Sequence, residues 1–472
     1  MKALSPTDAS FLWMETRNQP MHVAGLNLYT PPKGAGPDFV SDLLQEWGQH
    51  LQALPPFNQR PVLRMGLWYW EEDPAFELDY HLRHVALPQP GRIRELLAMV
   101  SRVHTNLMDR SRPLWEAYVI EGLPGGRFAT YIKIHHALID GVSGARIMAE
   151  GLARTAKEQK PPLWAQSYSR HGSPKRKAEN LGILQQIGKL VEVGRELAPG
   201  IANGLWDMVR SPPQDSASAL PFSAPPSMFN VEISGSRRFA AQSYALSRFK
   251  RIGTAAHATV NDVTLAICAG ALRSYLQSHD ALPDKPLVAM VPVSLHGETS
   301  EGGNQVSLLL ANLATDVATP LERLARIVQS TSEAKGRLSD MSRLEKMAHG
   351  ITSISPMGAG VVTGMAEKHP MFNVVISNVP GVRDTLYLNG ARLDEVYPVS
   401  IVTHYLGLNI TISGYGDQLG FGFVACRKTV PGLQRMLDYT DAAILELEEA
   451  LGLREKQKPT LTARRKATVR KA

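Results

Sequence analysis

One segment, from Arg127 to Gly144 (RFATYIKIHHALIDGVSG), constrains the fold of this chain more than any other. Between Phe128 and His136 every second side chain shares a face, and this period of two predicts a β-strand. Asp140 and Gly141 then predict a turn, and the residues from Val142 to Lys157 predict the helix that follows. Two adjacent histidines therefore close a predicted strand, just before a turn into a helix.

His135 and His136 must point in opposite directions, because neighbouring residues of a strand lie on opposite faces. His136 ends the row formed by Phe128, Thr130, Ile132 and Ile134. If that row is apolar, loss of water around the imidazole lowers its pKa, and a neutral imidazole can accept a proton near pH 7. The alternative at this point is a histidine pair that only completes a core.

The composition predicts a globular protein of the α/β (α+β) class. The chain has 472 residues, of which 44% are apolar and 20% charged, and this length is enough for two domains with full cores. Predicted strands and helices alternate in both halves. We expect an N-terminal domain over 1–180, a crossover helix and Pro-rich linker over 181–228, a C-terminal domain over 229–453 and a basic disordered tail over 454–472.

The net charge of +7 comes from that tail, which holds eight Lys and Arg against one acidic residue. The rest of the chain has 43 basic and 43 acidic residues, so the folded body is neutral. A basic tail can hold a protein near an anionic membrane, at about 1 kcal/mol per Lys or Arg close to the surface, or it can simply be solvated. Nucleic acid is not an expected partner, because the tail lacks interleaved aromatic residues.

Two cysteines, Cys268 and Cys426, lie in separate apolar segments without metal-ligand spacing, which predicts a reducing compartment, no disulfide framework and no metal site. The first residues lack the apolar core of a signal peptide, and no apolar run is long enough to span a bilayer. We therefore expect a cytoplasmic protein. The absence of P-loop, nucleotide-fingerprint and Gly-x-Ser-x-Gly motifs argues against nucleotide, dinucleotide and serine-hydrolase sites.

The histidine segment spells His-His-x-x-x-Asp-Gly, which resembles the signature of acyltransferases with the chloramphenicol acetyltransferase architecture, peptide-synthetase condensation domains included. Several further motifs, in the same order along the chain, resemble the bacterial wax ester synthase/diacylglycerol acyltransferases: Leu4–Glu15, Pro113-Leu114-Trp115, Asn261-Asp262 and Phe372–Gly381. This resemblance extends from about Leu4 to Leu451. The plant branch's Asp-Phe-Gly-Trp-Gly motif is missing, which favours the bacterial branch.

The resemblance implies two chloramphenicol acetyltransferase-like domains, each a mixed β-sheet flanked by helices, with an active-site tunnel at their interface. It implies a fatty acyl-CoA as donor, and so as substrate rather than cofactor. The acceptor would be a long-chain alcohol or diacylglycerol, and the products wax esters and triacylglycerols. Peripheral contact with the inner face of the membrane or with lipid droplets fits such substrates.

By this resemblance His136 is the general base and His135 a supporting residue. Asp140 is expected to pair with an arginine and hold the loop, and Gly141 to permit the tight turn. Asn261 and Ser377 are candidates for contacting substrate or its oxyanion. The expected scaffold residues are Pro113, Leu114, Trp115 and Asp262.

Three alternatives stay open. His135 with Asp140 also spells His-x-x-x-x-Asp, a pattern of glycerolipid acyltransferases of another fold, and this pattern would make His135 the working imidazole. A condensation-type or polyketide-ester acyltransferase would keep His136 but accept a carrier-bound acyl group. A non-catalytic lipid-binding protein would use the same apolar cleft.

Overall fold

The structure, a computed structural model, describes residues 1–168, 219, 223–294, 306–340 and 365–454. Most of the predicted linker over 181–228, and the basic tail beyond Arg454, lie outside the described residues.

Fifteen strands are described, and in chain order they are β1 Lys2–Ala3, β2 His22–Thr30, β3 Gln59–Arg64, β4 Leu67–Glu72, β5 Leu82–Ala86, β6 Trp115–Glu121, β7 Phe128–His135, β8 Arg237–Ala245, β9 Val288–Ser294, β10 Val306–Asn312, β11 Val374–Val382, β12 Tyr387–Leu388, β13 Ala391–Val399, β14 Leu408–Tyr415 and β15 Gln418–Cys426.

Ten α-helices are described alongside them, and in chain order they are α1 Pro6–Met14, α2 Phe39–Trp47, α3 Leu78–His81, α4 Ile93–Val103, α5 Gly141–Glu150, α6 Leu246–Ala255, α7 Val260–Gln277, α8 Pro320–Asp340, α9 Met365–Lys368 and α10 Arg435–Ala450.

Two six-stranded mixed sheets organise the fold, in agreement with the predicted class. The first has the order β12-β13-β2-β7-β6-β5, with only β5 and β6 parallel. The second has the order β10-β9-β11-β14-β15-β8, with β9, β11 and β14 parallel to one another. Helices α7, α8 and α10 pack on one another beside the second sheet.

The first sheet takes two strands from the C-terminal half of the chain. β13 pairs antiparallel with β2, from Arg392 opposite Thr30 to Val399 opposite Ala24, and β12 extends the sheet beyond it. The predicted division at residue 229 did not include this exchange. The N-terminal sheet is therefore complete only when the C-terminal half has folded.

Each six-stranded sheet and the helices packed on it form one lobe, called the first and the second lobe in the order of the sheets. The two lobes also share a hydrophobic core. One cluster of buried residues combines side chains of α4 and β2 with side chains of β8, β13 and β15, among them Leu28, Val100, Phe239, Tyr397 and Val424. The amide of Phe239 also donates to Ser101 Oγ at 2.9 Å, which ties α4 to β8. Burial of apolar surface between lobes stabilises their relative position.

The composition of Pro61–Trp70 predicts a single strand, and the structure differs from this prediction. The segment forms a hairpin, in which Leu63 pairs with Trp68 and Arg64 with Leu67. Met65 and Gly66 make the turn with φ of 50° and 78°. The turn was concealed because most residues of the segment are apolar or aromatic and because Met is rare at positive φ.

Within the described residues, no single helix has the length and apolar character needed to cross a membrane; α6 and α7 meet these criteria only as a pair, and that pair is bent by 101°.

Glycines on β15 allow β13 to cross it closely, which leads to a stability prediction. A Cβ placed on Gly422 would lie 1.9 Å from the carbonyl oxygen of Pro398, closer than any real contact. We expect Gly422→Ala to force the lobes apart and to lower the free energy of unfolding by about 1–3 kcal/mol. The matched control is Gly36→Ala, where a Cβ meets open space. Thermal unfolding followed by circular dichroism should separate the two variants; equal midpoints would contradict the packing argument.

Candidate active site

The backbone of the histidine pair is held on both sides by other strands. β7 ends at His135, whose amide donates to the carbonyl of Leu114 at 3.0 Å. The amide of His136 donates to the carbonyl of Met21, just before β2, at 2.8 Å. Both histidines therefore have fixed backbones although the strand ends between them.

His135 is completely buried, and protein groups lie at both of its ring nitrogens. Nδ1 accepts a hydrogen bond from the amide of Ala137 at 3.1 Å, which leaves the proton on Nε2. Nε2 lies 3.3 Å from Oε1 of Glu15. This ring is oriented by its surroundings and has no face open to a substrate.

Glu15 is the residue at this site that sequence reasoning missed as a functional group. Its Oε1 accepts from the amide of Met21 at 3.1 Å, and its Oε2 accepts from Nε and Nη2 of Arg110 at 3.1 and 2.9 Å. Burial alone would raise the pKa of this carboxyl, but His135 and these donors outweigh burial and lower it. The carboxylate is therefore charged near neutral pH. Its only sequence signal was its place at the end of the Leu4–Glu15 motif.

His136 differs from its neighbour because it keeps some exposed surface. Its ring stacks on Phe11 of α1, with centroids 4.0 Å apart and planes 25° apart. Burial lowers the pKa of His136 to about 4, and the charge of nearby Asp140 offsets only part of this effect. Nδ1 is buried and has no hydrogen-bond partner within the part of the chain that the structure describes. The imidazole is therefore neutral over the physiological range.

Asp140 is the N-cap of α5. Its carboxylate accepts from the amide and from the hydroxyl of Ser143, both at 2.9 Å. The cap fixes the start of the helix, an effect typically worth about 0.5–2 kcal/mol. The expected pairing of Asp140 with an arginine stays a prediction.

Gly141 is the first residue of α5 rather than part of a tight turn. Its φ does not lie in the left-handed region, and among the described residues nothing lies within 4 Å of a Cβ placed there. The backbone conformation at this residue therefore does not demand glycine, and the turn role expected for Gly141 stays a prediction. The absence of a side chain at Gly141 leaves open space at the start of α5, five residues after His136.

The Pro113-Leu114-Trp115 motif lies directly against the histidine pair. Leu114 and Trp115 are fully buried. Nε1 of Trp115 donates to the carbonyl of Phe57 at 2.8 Å, and its ring stacks on His81 and Trp164. The motif therefore fixes the start of β6 beside the end of β7.

The Asn261-Asp262 motif lies in the first turn of α7, whose N-cap is Thr259. Asp262 and Thr259 form a reciprocal capping box, and Asp262 Oδ1 also accepts from Thr331 of α8 at 2.8 Å. These contacts hold two helices of the second lobe together. Asn261 occupies the second helical position and has no hydrogen bond to the histidine segment within the described part of the chain.

Ser377 lies on β11 opposite Thr411 of β14, and β11 contacts α5. The strand that carries Ser377 therefore borders the helix that follows the histidines. No hydrogen bond joins Ser377 to either histidine among the residues described.

A second group of buried histidines lies on the face of β7 that carries Tyr131 and His135. Nε2 of His22 donates to the carbonyl of His104 at 2.8 Å. His104 in turn donates from Nε2 to the carbonyl of Ser400 at 2.9 Å, and its Nδ1 accepts from the hydroxyl of Tyr131 at 2.7 Å. Burial lowers the pKa of His104 to about 3, so this group stays neutral and joins the two halves of the chain.

The arrangement has the chemistry of a proton acceptor. A neutral, partly exposed imidazole sits on an apolar ring, and a buried carboxylate–histidine pair lies beside it. Among the residues described, no group of three or more His, Cys, Asp or Glu is placed to hold a metal ion. Two shallow cavities of the second lobe, one beside Lys250–Val260 and one between α7, α8 and α10, include neither His135 nor His136. The tunnel expected at the lobe interface stays a prediction.

Comparison with known proteins places this geometry in context. The sequence model of the wax ester synthase/diacylglycerol acyltransferase catalytic domain matches residues 4–264, and that of the family's C-terminal domain matches residues 302–448. The chain is 42% identical to O-acyltransferase WSD of Acinetobacter baylyi over 463 residues, which cover 96% of this chain and 99% of that one.

Solved structures agree with these sequence matches. A wax ester synthase/diacylglycerol acyltransferase from Marinobacter aquaeolei superposes with a TM-score of 0.80 at 44% identity, covering 96% of this chain and all of that one. The first condensation domain of the calcium-dependent antibiotic synthetase shares the fold, with a TM-score of 0.59 at 15% identity over 95% of this chain and 96% of that one.

Removal of the Glu15 carboxylate tests how much this group contributes to the stability of the fold. We expect Glu15→Ala to lower the free energy of unfolding by about 2–3 kcal/mol, because buried donors of Met21 and Arg110 lose a charged acceptor. Glu77→Ala is the matched control, since its ion pair with Arg112 is exposed and such pairs contribute about 0–1 kcal/mol. Denaturant unfolding of both variants gives the comparison. Equal losses would show that the Glu15 pair is no more than a surface ion pair.

Proposed function

The chain belongs to the wax ester synthase/diacylglycerol acyltransferase family, and we propose that His136 is the general base of its reaction. As a member of this family it is an O-acyltransferase, which moves an acyl group from acyl-CoA to a long-chain alcohol or to diacylglycerol. The products are wax esters and triacylglycerols.

In the proposed mechanism, the acceptor hydroxyl attacks the carbonyl carbon of the thioester while His136 removes the hydroxyl proton. Because Nδ1 is buried, we assign this role to Nε2. The new C–O bond forms, the C–S bond breaks, and the imidazolium returns its proton to the departing sulfur to give CoA thiol. No acyl-enzyme is needed, and such acid/base assistance typically contributes about 10²–10⁴-fold.

A single observation carries the choice between the two histidines. His135 is fully enclosed, with Ala137 and Glu15 at its two ring nitrogens, whereas His136 is partly exposed. A general base must come within hydrogen-bond reach of its substrate. This difference favours His136 as the base over the alternative in which His135 is the working imidazole.

Glu15 and His135 are proposed as positioning residues for His136. The Glu15 carboxylate fixes the ring of His135, which is the last residue of β7 and directly precedes the reactive ring. Arg110 orients the carboxylate from the other side. Neither residue is proposed to exchange a proton with substrate.

The other predicted site residues keep more limited roles. We propose that Asp140 acts by capping α5, and that open space beside Gly141 receives part of a substrate. Ser377 and Asn261 remain candidates for binding the oxyanion. Ser377 is favoured because its strand borders α5, whereas the contacts described for α7, which carries Asn261, are with the helices of the second lobe.

Because the acceptors are lipids, we also propose that the protein works in peripheral contact with a membrane or a lipid droplet. The eight Lys and Arg of residues 454–472 support this proposal through their attraction to anionic lipids.

Substitution of each histidine tests the assignment of the base. We expect His136→Ala to lower kcat by about 10²–10⁴-fold with an unchanged thermal midpoint, since the ring is partly exposed and makes one stacking contact. His135→Ala should lower both kcat and the thermal midpoint, because it removes one partner of the Glu15 carboxylate and leaves a cavity where a fully buried ring was packed. Thiol release from palmitoyl-CoA with hexadecanol measures turnover. Full activity of His136→Ala would overturn the mechanism, and a mild His136→Ala beside an inactive but stable His135→Ala would favour the glycerolipid reading.

The pH dependence gives an independent test. A base is active when deprotonated, and burial lowers the pKa of His136 from its ordinary 6.5 to about 4. The acid limb of kcat/KM should therefore lie near pH 4 and not near pH 6.5. The profile should be measured from below pH 4 up to neutrality, with circular dichroism at each pH to confirm folding. A midpoint near 6.5 would mean that His136 is solvated in the working enzyme.

A further inference from the structure

The tip of the β3–β4 hairpin exposes three large apolar side chains in a row of five residues. Leu63 is 45% exposed, Met65 86% and Leu67 43%. Their register places Leu63 beside Trp68 and Leu67 beside Arg64, so Leu63 and Leu67 point to opposite faces of the hairpin. We call Leu63, Met65 and Leu67 the apolar tip.

The surface next to the apolar tip is also apolar. Trp13 of α1 is 59% exposed, and its ring meets that of Trp68 edge-on at 5.7 Å. Tryptophan is enriched where a protein surface meets the headgroup region of a membrane. Exposed apolar side chains grouped in this way mark an interaction surface, whereas isolated ones do not.

A continuous cluster of packed apolar side chains joins this surface to the reactive imidazole. Trp68 and Phe11 pack against one buried cluster that includes Leu114 and Ala137, the residues beside the histidine pair. Phe11 itself stacks on His136. The exposed surface and His136 are therefore joined through one cluster of apolar side chains.

The charge and shape of the tip indicate the kind of partner. Arg64 is the only charged residue between Pro61 and Trp70, and its guanidinium is 2.9 Å from the Glu71 carboxylate. Arg64 shares a face with Leu67, but its charge is paired within the hairpin. A tip with apolar side chains on both faces and one paired charge suits a medium that surrounds it, whereas a protein partner would cover one face. Lipid is such a medium.

We propose that the apolar tip, with Trp13 at its base, inserts into a phospholipid surface in which the acceptor lipid is dissolved. This inference rests on the proposed function, because a diacylglycerol or long-chain alcohol must leave a lipid phase to reach His136. Insertion brings that phase to the cluster of side chains that also contacts Phe11, the residue stacked on His136. Attachment by the tip depends on apolar contact and is insensitive to salt, unlike attachment by the basic tail.

The test uses the full chain and vesicles of phosphatidylcholine containing dioleoylglycerol, at high salt. We expect the wild type to float with the vesicles and Leu63→Asp/Met65→Asp to lose binding by about 10-fold or more. The matched control is Leu321→Asp/Leu445→Asp, which replaces two apolar residues of the second lobe that are 37% and 39% exposed. The control should float like the wild type.

A second variant guards against misfolding. Met65→Asp alone changes the most exposed side chain, and Asp tolerates the positive φ found there; it should reduce flotation without changing the thermal midpoint. The proposal is overturned if the wild type does not float, if both tip variants float like the wild type, or if the control loses as much binding.

Activity separates this proposal from the proposed function. With palmitoyl-CoA and the water-soluble acceptor hexanol, the tip variants should release thiol at the wild-type rate, whereas transfer to vesicle-bound dioleoylglycerol should fall with binding. Equal rates of transfer to vesicle-bound dioleoylglycerol would overturn the docking role. Failure of the wild type with every acceptor would instead contradict the proposed function, and flotation would still decide the docking surface.

Discussion

The carboxylate of Glu15 is the constraint on which the rest of the site depends. It lies at the end of α1 and binds His135 at the end of β7, the amide of Met21 before β2, and Arg110. A carboxylate removed from water is costly unless its oxygens have partners, so each of these elements must arrive in one position. That position brings Phe11, on the preceding turn of α1, against the ring of His136.

The second lobe completes this arrangement rather than standing beside it. β12 and β13 extend the sheet that carries β7, and His104 joins the first half of the chain to the carbonyl of Ser400. Helix α5 lies between β2 and β11 and so contacts both sheets. Because the lobes share a core, the position of His136 relative to the second sheet is fixed by packing across the seam and not by one domain alone.

Much of the fold followed from periodicity. The helical spacing of apolar residues in Phe39–Leu51 and Arg92–Met108 predicts two helices, and helices are observed over Phe39–Trp47 and Ile93–Val103, because an amphipathic stripe specifies which face is buried. The hairpin of β3 and β4 was missed because Met65, the first of its two turn residues, is of a type rarely found at positive φ.

Spacing along the chain was enough to predict that two histidines end a strand, that they point in opposite directions, and that a helix follows the turn at Asp140, since all three depend on a few neighbouring residues. Only the tertiary structure decided which imidazole is enclosed and which is open, and that Glu15 lies beside His135. Those contacts join residues far apart in the chain, and burial depends on everything packed around a side chain. Local pattern carries no record of that environment, which sets both the pKa of His136 and its access to solvent.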